Sequence, residues 1–179
     1  DSGAVFINNK NLNRLNYADL QEIRTEMAMV FQFGALFDSM TIGENIALAL
    51  SNHSMKKYEE HDMNKKISNV LKLVNLEGIE NLMPAEISGG MKKRVGIARA
   101  IAIKPSYVLY DEPTTGLDPI STDEINKLIL KVGKSNVTSI IVTHEMKTVY
   151  EVANKVIMLY DGKIIFEGAP EELKKSKDK

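Results

Sequence analysis

The sequence predicts an α/β protein with a buried parallel sheet, and three observations lead to this prediction. Residues 107–110 and residues 139–142 are short, largely apolar runs of the kind that form buried strands. Between them, apolar side chains recur at helical spacing, at Ile125, Leu128, Ile129 and Val132. Because a helix connects the two strands, they should lie parallel in one sheet.

The composition fits a globular protein with a substantial core. Of the 179 residues, 44% are hydrophobic and 26% are charged. The 23 basic and 24 acidic side chains nearly cancel, which gives no support for a general nucleic-acid-binding protein. The absence of cysteine excludes a disulfide framework and a cysteine-based metal site. No apolar run reaches the roughly 18 residues that a membrane-spanning helix needs.

Ahead of the central unit, strand and helix patterns alternate. In order, we expect a strand at 5–7 with a turn at 8–9, a helix at 17–26, a strand at 28–32 and a loop at 34–38. The second of these strands ends on Gln32. Its neutral amide could sense Mg²⁺ or an attacking water, and a purely structural role is equally compatible with the sequence.

The middle of the chain has helical character. We expect a helix at about 41–49 and a second one marked by Ile67, Val70, Leu71 and Val74. Residues 51–65 are polar and lack an apolar stripe, which predicts a mobile or variable connection. Ser88 is suited to cap a further helix that ends near residue 103.

The last part of the chain combines a helix with a hairpin. Residues 146–152 favour the helix. Two strand patterns, at 156–160 and 163–166, flank Asp161-Gly162, which is a strong hairpin signal. We expect the lysine-rich residues 174–179 to fray.

Reactive side chains follow the two central strands. Asp111 and Glu112 end the first strand, and His144 follows the second. Since ligands bind at the carboxyl edge of parallel sheets, Asp111 is suited to hold Mg²⁺ through water. Glu112 could polarise a water for attack on a terminal phosphate, and His144 could hydrogen-bond that phosphate. The simpler alternatives are an aspartate that caps a following helix and a structural histidine.

The triplet Ser88-Gly89-Gly90 is a candidate anion site. Glycine lets backbone N–H groups approach an anion closely, and the helix behind the triplet adds partial positive charge. Alone, such a triplet is more often a loop, so its weight comes from the acidic pair downstream. The following Lys92-Lys93-Arg94 either strengthens the positive field or forms a solvated basic face.

In order along the chain, these motifs resemble those of the ATPase domain of ABC transporters. Residues 30–32 resemble the Q-loop, residues 87–91 the signature motif, and residues 107–112 the Walker B strand with its catalytic glutamate. Residues 116–119 resemble the D-loop, and His144 resembles the switch histidine. The resemblance covers nearly the whole chain and is specific because the motifs stand in the family's order.

The resemblance implies a P-loop-NTPase-like fold and a site for ATP and Mg²⁺. It implies an incomplete RecA-like α/β core at 1–40 and 104–179 and a helical signature subdomain at 41–103. The implied site residues are Glu112 and His144 for catalysis, Asp111 and Gln32 for Mg²⁺, and Gln32, Ser88, Gly89, Gly90 and Asp118 for nucleotide. The signature residues would bind the γ-phosphate of ATP held by an opposite subunit. Asp118 would contact that subunit in a head-to-tail homodimer.

Three details resemble, within this family, the ATPase subunits of Mla/Mce-type lipid transport systems. They are residues 33–40 after the Q-loop, residues 82–86 before the signature, and Met91, where most relatives have glutamine. This closer resemblance implies a peripheral subunit on the cytoplasmic face of the inner membrane. A groove around residues 33–40 would dock a membrane permease, and nucleic acid is not an expected partner.

The family's phosphate loop, G-x-x-x-x-G-K-[ST], does not occur in this sequence. In the family it precedes a segment like residues 3–12, so we interpret the chain as truncated at its amino terminus. Without the lysine and N–H donors of that loop, we expect the chain alone neither to bind ATP tightly nor to hydrolyse it. We also expect an unpaired sheet edge, which favours self-association.

Two other functions stay open. An ATPase of the same superfamily that acts on nucleic acid or ribosomes would carry a long coiled-coil insert or a second tandem domain, and neither occurs in this sequence. A non-catalytic interaction module would use the fold for docking only. Glu112 and His144 argue against such a module for the complete protein, but for the chain by itself it is the better description.

Overall fold

A computed structural model of the chain describes residues 2–53 and 58–175. Its strands are β1 (Phe6–Ile7), β2 (Lys10–Asn11), β3 (Met27–Val30), β4 (Tyr107–Asp111), β5 (Thr138–Val142), β6 (Val156–Tyr160) and β7 (Lys163–Gly168). Its α-helices are α1 (Tyr17–Thr25), α2 (Ile42–His53), α3 (Glu60–Leu73), α4 (Gly89–Ala102), α5 (Pro119–Gly133), α6 (Met146–Val152) and α7 (Pro170–Lys175).

The central sheet is parallel, as predicted, with β4 between β3 and β5. Val108 of β4 pairs with Ala28 on one side and with Ser139 on the other. Two antiparallel hairpins lie outside this sheet. One joins β1 to β2, and the other joins β6 to β7 across the predicted turn at Asp161 and Gly162.

Only one face of the central sheet is buried. Val30, Val108 and Tyr110 point to this covered face, where α4 contacts β3 and α5 contacts β5. On the open face, Ile140 and Val142 keep 53% and 60% of their surface exposed. The expectation of a buried sheet is therefore correct for the covered face and wrong for the open one.

One continuous apolar core joins the covered face to the helices in the middle of the chain. Helices α2, α3 and α4 contact one another, and each contributes fully buried side chains, among them Ile46, Leu71 and Ile97. The division into a core at 1–40 and 104–179 and a helical subdomain at 41–103 stays a prediction.

Several element boundaries differ from the prediction. The expected variable connection at 51–65 is wrong for most of its length, because α2 continues to His53 and α3 already begins at Glu60. Acidic side chains in the first turn of α3 favour the positive end of that helix, which extends it beyond its apolar stripe. Residues 54–57 lie outside the described part of the chain.

The other corrections concern strand and helix ends. Strand β3 stops at Val30, so Gln32 lies in the following turn instead of ending the strand. At the carboxyl end, the sequence predicts fraying at residues 174–179, but Lys174 and Lys175 are the last two residues of α7, and residues 176–179 lie outside the described part.

Candidate functional site

The carboxyl end of β4 presents Asp111 and Glu112 in an unusual backbone geometry. Asp111 is the last residue of the strand and pairs with Val142 of β5. Glu112 has a φ of +46°, in the left-handed region that non-glycine residues rarely occupy, and its N–H donates to the Val142 carbonyl over 2.9 Å. No helix follows directly, since α5 begins only at Pro119, so Asp111 is not a helix cap.

The structure brings Glu112 and His144 into direct contact. The Nδ1 atom of His144 lies 2.8 Å from Oε1 of Glu112. The other carboxylate oxygen, Oε2, accepts a hydrogen bond from the hydroxyl of Thr115 over 2.8 Å. The prediction that these two strands deliver their reactive side chains to one place is therefore correct.

The contact changes the protonation of both partners. Burial acts to raise the pKa of Glu112, but the hydrogen bonds from His144 and Thr115 outweigh it and leave this pKa below its usual value. The hydrogen bond to Glu112 and the charge of Glu112 raise the pKa of His144. The lowered pKa keeps the carboxylate of Glu112 ionised at neutral pH.

The signature residues form the exposed start of α4. Ser88 caps this helix, its hydroxyl accepting from the N–H of Met91 over 3.3 Å. A Cβ added at Gly89 would meet no atom within 4 Å, so this side of the helix start is open. A Cβ at Gly90 would lie 3.3 Å from Oγ of Ser121 on α5. The predicted helix cap is confirmed.

Asp118 begins α5 beside this surface. One carboxylate oxygen accepts from the N–H groups of Ile120 and Ser121 over 2.9 and 3.0 Å, and the other accepts from the Ser121 hydroxyl over 2.6 Å. These hydrogen bonds, the one from the Ser121 hydroxyl foremost, lower the pKa of Asp118. Asp118 therefore acts as a helix cap within its own chain, and a contact with a second subunit stays a prediction.

Helix α4 also holds the loop that contains Gln32. The guanidinium of Arg99 donates to the carbonyls of Gly34 and Ala35 over 2.8 and 2.7 Å. A Cβ at Gly96 would lie 3.2 Å from the Cα of Gly34, so the loop backbone rests directly on the helix. Gln32, half-buried, follows β3 at the same edge of the sheet as Glu112.

The sequence interpretation missed the role of Lys93. This residue is only 7% exposed, and its ammonium donates to the carbonyl oxygen of Thr115 over 2.5 Å. Burial lowers the pKa of Lys93, against the charges of Glu145 and Glu112. Arg94 pairs with Glu124 over 3.2 Å, so the basic triplet is not a solvated face. Helical spacing could have indicated this, because position 93 shares a face with the apolar Ile97.

The site fits Mg²⁺ only with help from other ligands. No group of three metal-ligating side chains occurs in residues 2–53 and 58–175. Mg²⁺ commonly keeps several waters and binds through one or two carboxylates together with substrate phosphates. Asp111 at the open carboxyl edge suits that pattern.

The fold and the arrangement of motifs are those of the ATP-binding cassette class, and comparisons with known proteins agree. The family model of the ABC transporter matches residues 1–115. The chain therefore belongs to the ABC transporter ATP-binding family.

Among individual relatives, the chain is 37% identical over 179 residues to the intermembrane phospholipid transport system ATP-binding protein MlaF of Haemophilus influenzae, covering 99% of this chain and 67% of that protein. It is 40% identical over 168 residues to the methionine import ATP-binding protein MetN of Staphylococcus haemolyticus, covering 93% of this chain. The chain spans about half the length of that MetN, 48%.

Solved structures of the same class superpose closely. A dimeric, post-hydrolysis structure of the ATP-binding cassette MJ0796 with ADP and Pi gives a TM-score of 0.84 at 31% identity, over 94% of this chain and 74% of that one. CbiO1 from Clostridium perfringens, part of the ABC transporter complex cbiONQ, gives a TM-score of 0.86 at 30% identity. The match covers 98% of this chain and 69% of that one. Within the described part of our chain, no helix has the length and apolar character needed to cross a membrane.

Proposed function

We propose that this chain supplies the ATP-hydrolysing site of a motor subunit that drives lipid transport across the bacterial envelope. The observation that carries the proposal is the 2.8 Å contact between Glu112 and His144 at the carboxyl edge of a parallel sheet. Lipid as the cargo is supported by similarity to MlaF and by Met91 with the segments at 33–40 and 82–86. Similarity to MetN supports the same motor with a different cargo.

Glu112 and His144 have distinct roles in this proposal. Glu112, ionised because of its lowered pKa, orients the attacking water and accepts its proton. His144 donates from Nδ1 to Glu112, and its raised pKa favours the protonated ring, in which Nε2–H can also donate to the terminal phosphate of ATP. Asp111, with Gln32 nearby, would hold Mg²⁺ through water. The ion supplies positive charge that offsets the charge of the phosphates.

The signature surface suits a nucleotide that arrives from outside this chain. Ser88 and Gly89 are exposed at the start of α4, where N–H groups and the helix dipole attract an anion. Gly90 adjoins Ser121, three residues after Asp118, so the signature motif and the D-loop form one surface. In our proposal, a second subunit that carries the phosphate loop docks head to tail on this surface and presents its bound ATP.

Exposed aromatic side chains mark the proposed permease surface. Phe33 is 79% exposed and Phe37 is 50% exposed, in the loop that Arg99 fastens to α4. Clustered exposed apolar side chains commonly mark contact sites. We propose that a membrane permease docks here, which places the chain at the cytoplasmic face of the inner membrane.

One observation favours a second candidate for the chain by itself. The sequence contains no G-x-x-x-x-G-K-[ST] loop, so its own side of the site has few donors for a triphosphate. The chain alone would then act as a docking module for a partner subunit or a permease.

A chimera tests the proposed hydrolysis. The chain is extended at its amino end with the phosphate-loop segment of Haemophilus MlaF, and ATP turnover is measured with Mg²⁺. We expect hydrolysis that falls by about two orders of magnitude or more in Glu112→Gln, with ATP binding retained, and none in the unextended chain.

One variant serves as the control for the chimera. Glu171→Gln, in α7, removes an acid outside the proposed site and should leave turnover unchanged. Turnover that survives Glu112→Gln, or a folded chimera that binds no ATP, would contradict the proposal.

A further inference from the structure

A line of hydrogen bonds connects α4 to the proposed catalytic pair. The ammonium of Lys93 donates to the carbonyl oxygen of Thr115 over 2.5 Å. The hydroxyl of Thr115 donates to Oε2 of Glu112 over 2.8 Å, and Oε1 of Glu112 meets Nδ1 of His144 over 2.8 Å. Three separate segments are thus joined through Thr115: α4, the loop after β4 and the segment after β5 that carries His144.

Lys93 occupies a position where a lysine is costly. Its side chain is 7% exposed, and an ammonium removed from water is unfavourable unless it is paired. The Thr115 carbonyl and the charges of Glu145 and Glu112 provide the compensation. An apolar residue on this buried face of α4 would avoid the cost of removing an ammonium from water. What lysine provides and an apolar residue does not is the hydrogen bond to the loop.

The loop after β4 makes only long hydrogen bonds within its own backbone, so the contact with Lys93 adds to its anchoring. It contains Gly116 in a left-handed conformation, with a φ of +77°, and its turn hydrogen bonds are long, at 3.4 and 3.2 Å. On its far side, the hydroxyls of Thr114 and Thr148 lie 3.2 Å apart. Lys93 contributes the short, charge-assisted contact on the side of the catalytic pair.

We infer that Lys93 is a positioning residue: through Thr115 it fixes the carboxylate of Glu112 so that Oε1 faces His144. The inference rests on the proposed function for the role of Glu112. The contact itself is independent of nucleotide. An experiment on the chain without ATP therefore tests the role of Lys93, and its outcome does not depend on whether the proposed hydrolysis is correct.

The tautomer of His144 reports the orientation of Glu112. A carboxylate that accepts from Nδ1 holds the neutral ring in the Nδ1–H form, whereas a free imidazole favours Nε2–H. The chain has three histidines, and His53 and His61 lie on α2 and α3, away from the site, as internal references. Long-range ¹H–¹⁵N correlation spectra, recorded at alkaline pH, distinguish the two forms.

In the unmodified chain we expect the Nδ1–H form at His144 and the Nε2–H form at the two references. Lys93→Met, which removes the ammonium and keeps an apolar stem, should convert His144 largely to Nε2–H. Lys92→Met makes the same charge change one residue away and should leave His144 unchanged. Thr115→Val removes only the hydroxyl from this line of hydrogen bonds. It should convert His144 to the Nε2–H form, as Lys93→Met does.

Several outcomes would overturn the inference. These are an Nε2–H form in the unmodified chain, an Nδ1–H form retained in folded Lys93→Met, or conversion by Lys92→Met as well. Retention of the Nδ1–H form in Thr115→Val would show that the Thr115 hydroxyl does not orient Glu112, which would equally contradict the inference. If Lys93→Met does not fold, Lys93→Gln and Lys93→Leu replace it. The glutamine amide can still donate to the Thr115 carbonyl, so Lys93→Gln should retain the Nδ1–H form if it makes that hydrogen bond, and Lys93→Leu, which has no donor, should convert His144 to Nε2–H.

Discussion

The two faces of the central sheet differ although the same strands build them. On the covered face, Val108 and Tyr110 are 0% and 1% exposed beneath α4 and α5. On the open face, Ile140 and Val142 are more than half exposed. Apolar strand residues therefore support the fold on one side and remain available for contact on the other, and the difference lies in what packs against them.

The largest expected effect comes from a matched pair of valine substitutions on the two faces. Val108→Ala removes two methyl groups from a filled site and should lower the free energy of unfolding by about 2–3 kcal/mol. Val142→Ala makes the same change on the open face and should lower it by less than about 0.5 kcal/mol. Urea unfolding followed by circular dichroism measures both, and equal losses would show that the open face is covered in solution.

A smaller effect is expected where the covering helix holds the loop after β3. Arg99→Met removes two charge-assisted hydrogen bonds to the carbonyls of Gly34 and Ala35 and should lower the free energy of unfolding by about 2 kcal/mol. In the same variant, hydrogen exchange at residues 33–37 should become faster. Arg24→Met, on the exposed side of α1, is the control and should change stability by less than about 0.5 kcal/mol. Unchanged hydrogen exchange in Arg99→Met would mean that the close contact between Gly96 and Gly34 is enough to hold the loop.

The smallest effect on stability is expected at the carboxyl edge of the sheet, where Glu112 and His144 lie. Glu112 has a pKa below 4.5, so its stabilising contribution is present above that value and is lost as pH falls through the lowered pKa. His144 has a pKa above 6.5, so its contribution is complete below that value and is lost as pH rises through the raised pKa. The pair therefore stabilises most between these two values.

Unfolding midpoints of the unmodified chain and His144→Gln measure this dependence. The difference between them should be larger at about pH 5.5 than at about pH 8.5, with His61→Gln showing no such trend. A difference that grows with pH would reverse the assigned pKa directions.

Local patterns gave most of the elements correctly. Helix α6 has the predicted bounds, Ser88 caps α4 as expected, and the hairpin turns at Asp161-Gly162. The meeting of Glu112 and His144 could also be predicted, because parallel strands end at one edge. In each of these cases, the deciding information lies in a few neighbouring residues or in a general rule of sheets.

The remainder depends on contacts between distant segments. The apolar run at 139–142 does not reveal that one face of β5 stays open. Lys93 looked like part of a charged surface, because its partner Thr115 stands 22 residues further along the chain. The first turn of α3 carries too little apolar periodicity to be recognised by that pattern, and its only sequence signal is the acidic pair Glu60 and Asp62.

The left-handed backbone of Glu112 has a consequence for the stability of the chain. A side chain at a φ of +46° carries strain of about 1–2 kcal/mol that glycine would not carry. Glycine at this position would relieve that strain but would lose the contacts of the Glu112 carboxylate with Thr115 and His144. Glu112 therefore combines a strained backbone with a carboxylate that lies beside His144, and the free energy of unfolding of Glu112→Gly would measure which of the two effects is larger.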